Sequence, residues 1–478
     1  MPSDSSSPRR TDQPDFFNDE PPREQPPEDT DAARIVKEFQ RHERPDVVDA
    51  EIEEADEHLP DEPATTPEEA DTAEEDAPAE ADEPERNKPT DAAPREIESA
   101  PEQTEQQRAD AKRYEAIHNR LFLIDIAATV AALALLLFAG FSTNLRGFIE
   151  QRISENAFAV TAFYAIIVTI VYYFIILIPL HYVDYVYELR FGLSRQSFPA
   201  WFTDEFKSMG LNMILLVVFL ELVYFLLRAA PTYWWLWAAA AWTVLVVVLT
   251  QLAPVLLIPI FYKREPLTNE ELAERLRHLV ERVQMSVIAV EKLGLGAKTV
   301  KANAMLAGLG STKRVLLGDT LLEHFTDDEI ETVLAHELGH HYHNHIWKLI
   351  GAGAVATFAG FFVATTLLSS LVAALGYLEF RSVADVATFP ILAFALLVMA
   401  LVAMPATNAF SRALERQADG FALRLTRKPD AFISAMRRLA TRNLADTEPS
   451  PIVEALLHGH PSISRRIAAA EAFRDEER

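Results

Sequence analysis

The sequence predicts an all-α polytopic membrane protein with about six transmembrane helices, a small cytoplasmic α+β segment and a disordered N-terminal tail. Three observations in the 478 residues lead to this fold class. Acidic charge is concentrated at the N-terminus, long apolar runs without charge follow it, and the polar segment 262–348 separates two groups of these runs.

The N-terminal tail holds nearly all of the net charge. Residues 1–110 contain 36 Asp and Glu against 11 Lys and Arg, so they account for −25 of the total of −26, and they hold 16 of the 28 prolines. Such a segment cannot bury enough apolar surface to offset the entropy of ordering it. It is predicted to be disordered, either as a solvated spacer or as an interaction tail, and its acidity argues against nucleic acid as a partner.

The apolar runs that follow are long enough to cross a bilayer, which takes roughly 20 helical residues. Residues 229–262 and 349–378 contain no Asp, Glu, Lys or Arg. Four spans are predicted in an N-terminal membrane region, 111–262, and two in a second domain, 263–478. The six spans lie near 121–141, 157–180, 211–229, 233–261, 349–376 and 387–408.

Lys and Arg in the connecting segments predict the orientation, because cytoplasmic loops are enriched in both. Segments 262–348 and 409–478 carry 11 and 12 of them, whereas 142–156 and 377–386 carry two and one. With six spans, both termini and the segment 262–348 are expected in the cytoplasm. In a bacterium the membrane would be the inner, cell membrane.

The segment 326–340 carries the chemistry. Thr326 with Glu329 predicts a capping box that starts a helix. On that helix His336 and His340 lie one turn apart on the same face, which is the spacing at which two imidazoles bind one zinc ion, and Glu337 is placed to polarise a water. The chain has no cysteine, so any metal here must use His, Asp or Glu.

A third ligand is expected because a catalytic zinc site uses three protein ligands and an open position. A second helix after the last span would put Glu415 and Asp419 on one face. Glu415 is the expected third ligand, and Asp419 is expected to accept the other ring N–H of a zinc-bound histidine. His340 precedes the fifth span and Glu415 follows the sixth, so two antiparallel helices would bring them to the same membrane face. One Zn²⁺ per chain is predicted.

These motifs resemble the type I CAAX prenyl protease family of integral-membrane zinc endopeptidases. The resemblance covers most of residues 111–478 and none of the tail. Four further stretches match the family in order, namely 187–196 (YELRFGLSRQ), 259–267 (PIFYKREPL), 301–304 (KANA) and 313–322 (KRVLLGDTLL). Eukaryotic members carry seven spans, and the first of them has no counterpart here, which puts prenyl specificity in question more than the zinc chemistry.

The resemblance also implies roles for residues that spacing alone does not single out. Asn303 and Ala304 would lie on an edge strand that pairs with an extended substrate. His460 and Arg466 would lie beside the zinc and stabilise the oxyanion of a tetrahedral intermediate. Glu337 would be the general base, and the remaining histidines near the motif are expected to be packing or surface groups.

Three functions are compatible with the sequence. The first is a CAAX-type protease that processes the C-terminus of prenylated proteins or peptides. The second is a quality-control protease without prenyl specificity that cuts damaged membrane proteins. The third is a catalytically silent membrane scaffold or transporter. The expected partners are a peptide or protein substrate, prenylated or membrane-associated, and the lipid bilayer.

Overall fold

The computed structural model describes residues 100–285, 287–308 and 313–478. The predicted disorder of residues 1–99 therefore lies outside the described residues. Six described helices are long and apolar enough to cross a membrane, in agreement with the predicted number. They are α1 (Glu105–Phe138), α3 (Ala157–Arg190), α4 (Phe198–Ala229), α5 (Trp234–Phe261), α9 (His345–Ala374) and α10 (Phe389–Thr426).

Shorter elements complete the fold. A short helix, α2, joins the first two spans, and a four-stranded sheet with several helices follows α5, as predicted for an α+β segment. The helices are α2 (Phe141–Arg152), α6 (Glu270–Arg282), α7 (Asp319–His324), α8 (Asp327–Tyr342), α11 (Pro429–Arg442), α12 (Pro451–Leu457) and α13 (Ile463–Glu476). The strands are β1 (Arg264–Pro266), β2 (Ala289–Leu293), β3 (Ala304–Ala307) and β4 (Arg314–Gly318).

The folded part begins before residue 110, the predicted end of the tail. α1 starts at Glu105 with a capping box from Thr104. Upstream of it, the backbone N–H of Ala100 donates to Ser434 Oγ at 2.9 Å, and the buried Gln103 side chain donates to the Ala440 carbonyl at 3.0 Å. Amino-acid composition did not predict that this segment is ordered, because hydrogen bonds to α11 rather than an apolar pattern hold it in place.

The membrane bundle contains a buried polar network at the end opposite to the predicted metal-binding motif. Tyr164 is fully buried and shares a hydrogen bond with Ser142 at 2.6 Å. Asp385, in the turn between α9 and α10, forms an ion pair with Arg146 of α2. Buried polar groups need partners of this kind, so the network fixes where α9 turns back into α10.

α10 corrects one expectation. The sequence suggested that the sixth span ends near residue 408 and that a second helix carries Glu415 and Asp419, whereas one helix runs without a break from Phe389 to Thr426. Pro405 lies inside it and does not end it. Glu415, the predicted third ligand, therefore lies on the continuation of a membrane helix.

α8 packs directly across this extension. Its capping box is present as predicted, with Thr326 Oγ1 accepting from the Glu329 N–H and the Glu329 carboxylate accepting from the Thr326 N–H at 2.8 Å. At the crossing, a Cβ added to Gly339 would lie 3.1 Å from Ala418 Cα and 3.2 Å from Phe421 Cδ1. Only glycine allows the two backbones to approach this closely.

The sheet has the strand order β1-β2-β4-β3, with β2 and β4 parallel and the other pairs antiparallel. β3 is an edge strand, as the KANA resemblance implied. The segment that leads into it pairs with the 187–196 loop, since the Val300 N–H donates to the Leu193 carbonyl at 3.0 Å. The sheet edge is thereby tied to the end of a membrane helix, α3.

The crossing at Gly339 generates a prediction. Gly339→Ala should lower the free energy of unfolding by about 1–3 kcal/mol, the usual cost of forcing a methyl group into a packed contact. It should also lower the metal content of the purified protein because α8 and α10 carry different ligands. Thermal unfolding and metal analysis measure the two effects.

Gly351→Ala is the matched control, because a Cβ at that position in α9 meets nothing within 4 Å. Alanine favours a helix over glycine by up to about 1 kcal/mol, so this variant should be neutral or slightly more stable. Equal behaviour of the two variants would contradict the role assigned to the crossing.

Candidate metal centre

Two histidine side chains on α8 face one point. His336 Nε2 and His340 Nε2 lie 3.1 Å apart, and their rings are nearly perpendicular, with an interplanar angle of 82°. His336 is buried and His340 is half-buried. The helical spacing of four residues produces this arrangement, as the sequence predicted.

Glu415 of α10 completes a triangle with the two imidazoles. Its Oε2 lies 3.3 Å from His336 Nε2, and its Oε1 lies 3.4 Å from His340 Nε2. Ligand atoms about 2.05 Å from a tetrahedral zinc ion are separated by about 3.3 Å, so the three measured separations fit such an ion. Glu415 Oε2 is buried between the His336 and His460 imidazoles, so a carboxylate oxygen faces the point on which the two α8 histidines converge.

Behind His336 lies a carboxylate that orients it. Asp419 Oδ1 is 2.9 Å from His336 Nδ1, and Asp419 is held in turn by two hydrogen bonds from Arg466, at 2.6 and 2.9 Å. Burial disfavours the charged form of His336, but hydrogen bonds to Asp419 and Glu415 outweigh it and raise the pKa of His336 to about 9. The carboxylates thus favour a positive charge where His336 points.

Arg466 contacts the carboxylate that lies behind His336. The resemblance implied that it stabilises the oxyanion, whereas its guanidinium is nearly buried and bonded to Asp419. Its Nη2 also lies 3.4 Å from His336 Nδ1. These two bonds hold the Asp419 carboxylate beside His336, and the oxyanion role of Arg466 stays a prediction.

Glu337 and His460 line the cleft beside the triangle. Burial raises the pKa of Glu337, and the charge of His336 partly opposes this shift. The side chain of His460 is 69% exposed, and its Nδ1 is 3.0 Å from Glu415 Oε2. Both side chains can therefore reach a ligand bound in the cleft.

The cleft has a volume of about 690 Å³ and is bordered by the start of β3. Asn303, just before this strand, and Ala304, its first residue, both line the cleft together with His336 and Glu415. The structure therefore brings all nine predicted site residues to one place, either lining the cleft or, for His340 and Asp419, directly behind its wall.

The structure also adds a residue that the sequence analysis placed among packing and surface groups. His345 is fully buried, and its Nδ1 lies 3.0 Å from His340 Nδ1. Its Nε2 lies 3.2 Å from Gln417 Oε1. Helical spacing gave no signal for this contact because α8 ends at Tyr342 and a turn at Asn344, with φ of 55°, separates His345 from it.

A second group of candidate metal ligands lies nearby but fits a cation poorly. His118, Asp184 and Glu188 approach one another, the first on the N-terminal half of α1 and the other two near the C-terminal end of α3. Lys301 Nζ lies 2.9 Å from Glu188 Oε1, and Tyr114 also hydrogen-bonds this carboxylate. The Lys301 ammonium already pairs with one of the two carboxylates, so we interpret the group as an ion-pair network that ties the sheet edge to the membrane helices.

Two family models match the chain in tandem. Peptidase family M48 matches residues 266–474, which include the whole candidate metal centre. The family described as CAAX prenyl protease N-terminal, five membrane helices, matches residues 86–263. The described part of that region, 100–263, contains four candidate spans and the short helix α2.

Related proteins cover most of the same region. An uncharacterised metalloprotease of Bacillus subtilis, YhfN, is 27% identical over 366 residues, which are 76% of this chain and 85% of that one. CAAX prenyl protease 1 of Saccharomyces cerevisiae is 29% identical over 307 residues, or 61% of this chain and 67% of the yeast protein. The CAAX prenyl protease 1 homolog of Arabidopsis thaliana is 28% identical over 304 residues, which are 61% of this chain and 68% of the plant protein.

A solved structure shows the same fold. The crystal structure of S. mikatae Ste24p aligns with a TM-score of 0.66 and 22% identity over 77% of this chain and 89% of that chain. The fold, the two family models and the convergence of the predicted residues agree with one another. This chain belongs to peptidase family M48 and is an integral-membrane metalloprotease of the CAAX prenyl protease type.

Proposed function

We propose that this chain is a zinc endopeptidase that cleaves near the C-terminus of prenylated, membrane-bound peptides at the cytoplasmic face. The observation that carries the proposal is the approach of His336, His340 and Glu415 to within 3.4 Å of one another beside Glu337. Two histidines, one glutamate and an open cleft form the donor set of a catalytic zinc site, with one ion per chain.

Glu337 is the proposed general base. When bound, zinc supplies Lewis acidity at the scissile carbonyl and makes water more acidic. Glu337 then takes the proton from the attacking water and delivers it to the leaving amine. Burial raises the pKa of this carboxyl, which suits a group that must hold a proton between the two steps.

His460 is the proposed oxyanion donor. Its imidazole is exposed to the cleft next to Glu415, so it can donate a hydrogen bond to the oxygen that becomes negative during attack. Arg466 has a positioning role in this proposal, because its Nε and Nη2 donate to the Asp419 carboxylate. It holds Asp419, and Asp419 holds His336.

The edge of β3 supports main-chain recognition of the substrate at Ala304. The flanking residues are already engaged, because the Asn443 side chain bonds both the N–H and the carbonyl of Ala302, at 2.9 and 3.3 Å. On the other side, His341 Nε2 lies 2.9 Å from the Leu306 carbonyl. Ala304 therefore remains as the residue that can pair with an extended peptide.

An apolar cavity of about 550 Å³ between α4, α5, α9 and α10 supports a prenylated substrate. Phe219, Trp242 and Phe361 line it, and Ala403 forms part of its wall on α10. Ala403 precedes Glu415 by 12 residues, about 18 Å along a helix. An isoprenoid chain that extends from a cysteine near the scissile bond could span most of the distance between the metal centre and this cavity.

The alternatives differ in what they require. A quality-control protease would use the same metal centre and would not require the apolar cavity. The family members named above are compatible with either function. A silent scaffold would not require three ligands, a base and a supporting carboxylate to converge. The Lys and Arg distribution supports a cytoplasmic active site, and in a bacterium an inner-membrane location.

Glu337→Gln should reduce peptide hydrolysis by at least about 10²-fold, the lower range for loss of a general base, because the amide cannot accept the proton of water. Metal content should stay near that of the wild type, since Glu337 is not one of the three ligands. Peptide cleavage and metal analysis on the same preparation measure both. Turnover close to wild type would contradict the assignment of the base.

Prenyl recognition can be tested with one peptide made with and without a farnesyl group. The farnesylated form should be cleaved with a kcat/KM at least about tenfold higher, because burial of only two methylene groups is worth about 1.6 kcal/mol. A Glu337→Gln sample run in parallel corrects for contaminating proteases. Equal rates would reject prenyl selectivity and favour the quality-control function.

A further inference from the structure

His345 is the first residue of α9, and its buried ring lies against a proposed metal ligand. Its Nδ1 is 3.0 Å from His340 Nδ1, while His340 Nε2 faces His336 and Glu415. On its other side, His345 Nε2 is 3.2 Å from Gln417 Oε1. The ring therefore bridges α8 and α10 without reaching the ligand triangle itself.

The positions of the protons follow from these contacts. A neutral imidazole carries one N–H, and a metal-binding nitrogen must keep its lone pair. If His340 binds through Nε2, its proton is on Nδ1 and must be donated to His345 Nδ1. The proton of His345 is then on Nε2, where the Gln417 side-chain oxygen accepts it.

We propose that His345, supported by Gln417, is a positioning residue that sets the tautomer and ring orientation of His340 for metal binding. This inference rests on the proposed metal centre and extends it. His345 contacts neither metal nor substrate, so its effect passes through His340. Partners of this kind commonly change metal affinity 10–100-fold.

The two imidazole ligands are then oriented in different ways. The Asp419 carboxylate, itself paired with Arg466, faces His336 Nδ1. The His345 imidazole faces His340 Nδ1, and the Gln417 amide lies behind His345. One proposed ligand is thus oriented by a carboxylate and the other by an imidazole.

His345→Phe tests the proposal because phenylalanine keeps the ring shape and burial but removes both nitrogens. His343→Phe is the matched control, since the His343 ring stacks on His345 at 5.5 Å and makes no hydrogen bond to His340. The zinc dissociation constant of each full-length variant is measured in detergent by competition with a chelator. The unfolding temperature of each metal-free sample is measured alongside.

We expect His345→Phe to weaken zinc binding about 10–100-fold and His343→Phe to leave it within about twofold. His345→Asn should recover part of the loss, because its side-chain oxygen can accept from His340 Nδ1. Wild-type affinity in a folded His345→Phe protein would overturn the proposal. So would equal losses in the Phe and Asn variants, which would indicate a packing role.

Gln417→Leu gives an independent test that keeps His345 in place. Gln417 is exposed, so the substitution should not impair folding, and it removes the acceptor that fixes the His345 tautomer. We expect zinc binding a few-fold weaker than in the wild type, and unchanged affinity would contradict the role of Gln417. A wild-type protein that binds no zinc would reject the proposed function. Wild-type affinity in the His345→Phe variant would reject only the positioning role of His345.

Discussion

The close crossing of α8 and α10 is the constraint on which the site depends. Gly339 lets the α8 backbone lie within van der Waals contact of Ala418. This contact puts the two imidazoles of α8 within 3.4 Å of the Glu415 carboxylate. Because α10 is also a membrane helix, the bundle itself sets the position of one proposed ligand, and membrane packing and metal geometry become coupled.

Around this crossing, each proposed catalytic part is held by a different element. α13 supplies Arg466 to hold Asp419, α9 supplies His345 to hold His340, and β3 borders the cleft at Ala304. The sheet is itself tied to the membrane helices through Lys301 and Glu188. The site is therefore assembled from segments far apart in sequence, and its geometry depends on the complete fold.

Much of this arrangement could be predicted from local patterns. Apolar run lengths indicated the six spans, and a four-residue spacing indicated His336 and His340. Features that depend on packing were not accessible, such as the unbroken course of α10 and the pairing of Arg466 with Asp419. The docking of residues 100–103 was missed because hydrogen bonds, rather than an apolar pattern, hold that segment.

Zinc K-edge X-ray absorption on the purified, zinc-loaded chain tests the central claim most directly. It counts the imidazoles in the coordination shell and measures the metal–ligand distances. The structure predicts two imidazole nitrogens and two oxygen donors, from Glu415 and water, at about 2.0–2.2 Å. Three imidazoles in the shell, as expected if His460 replaced Glu415, would contradict the assignment. Fewer than two imidazoles would contradict it as well.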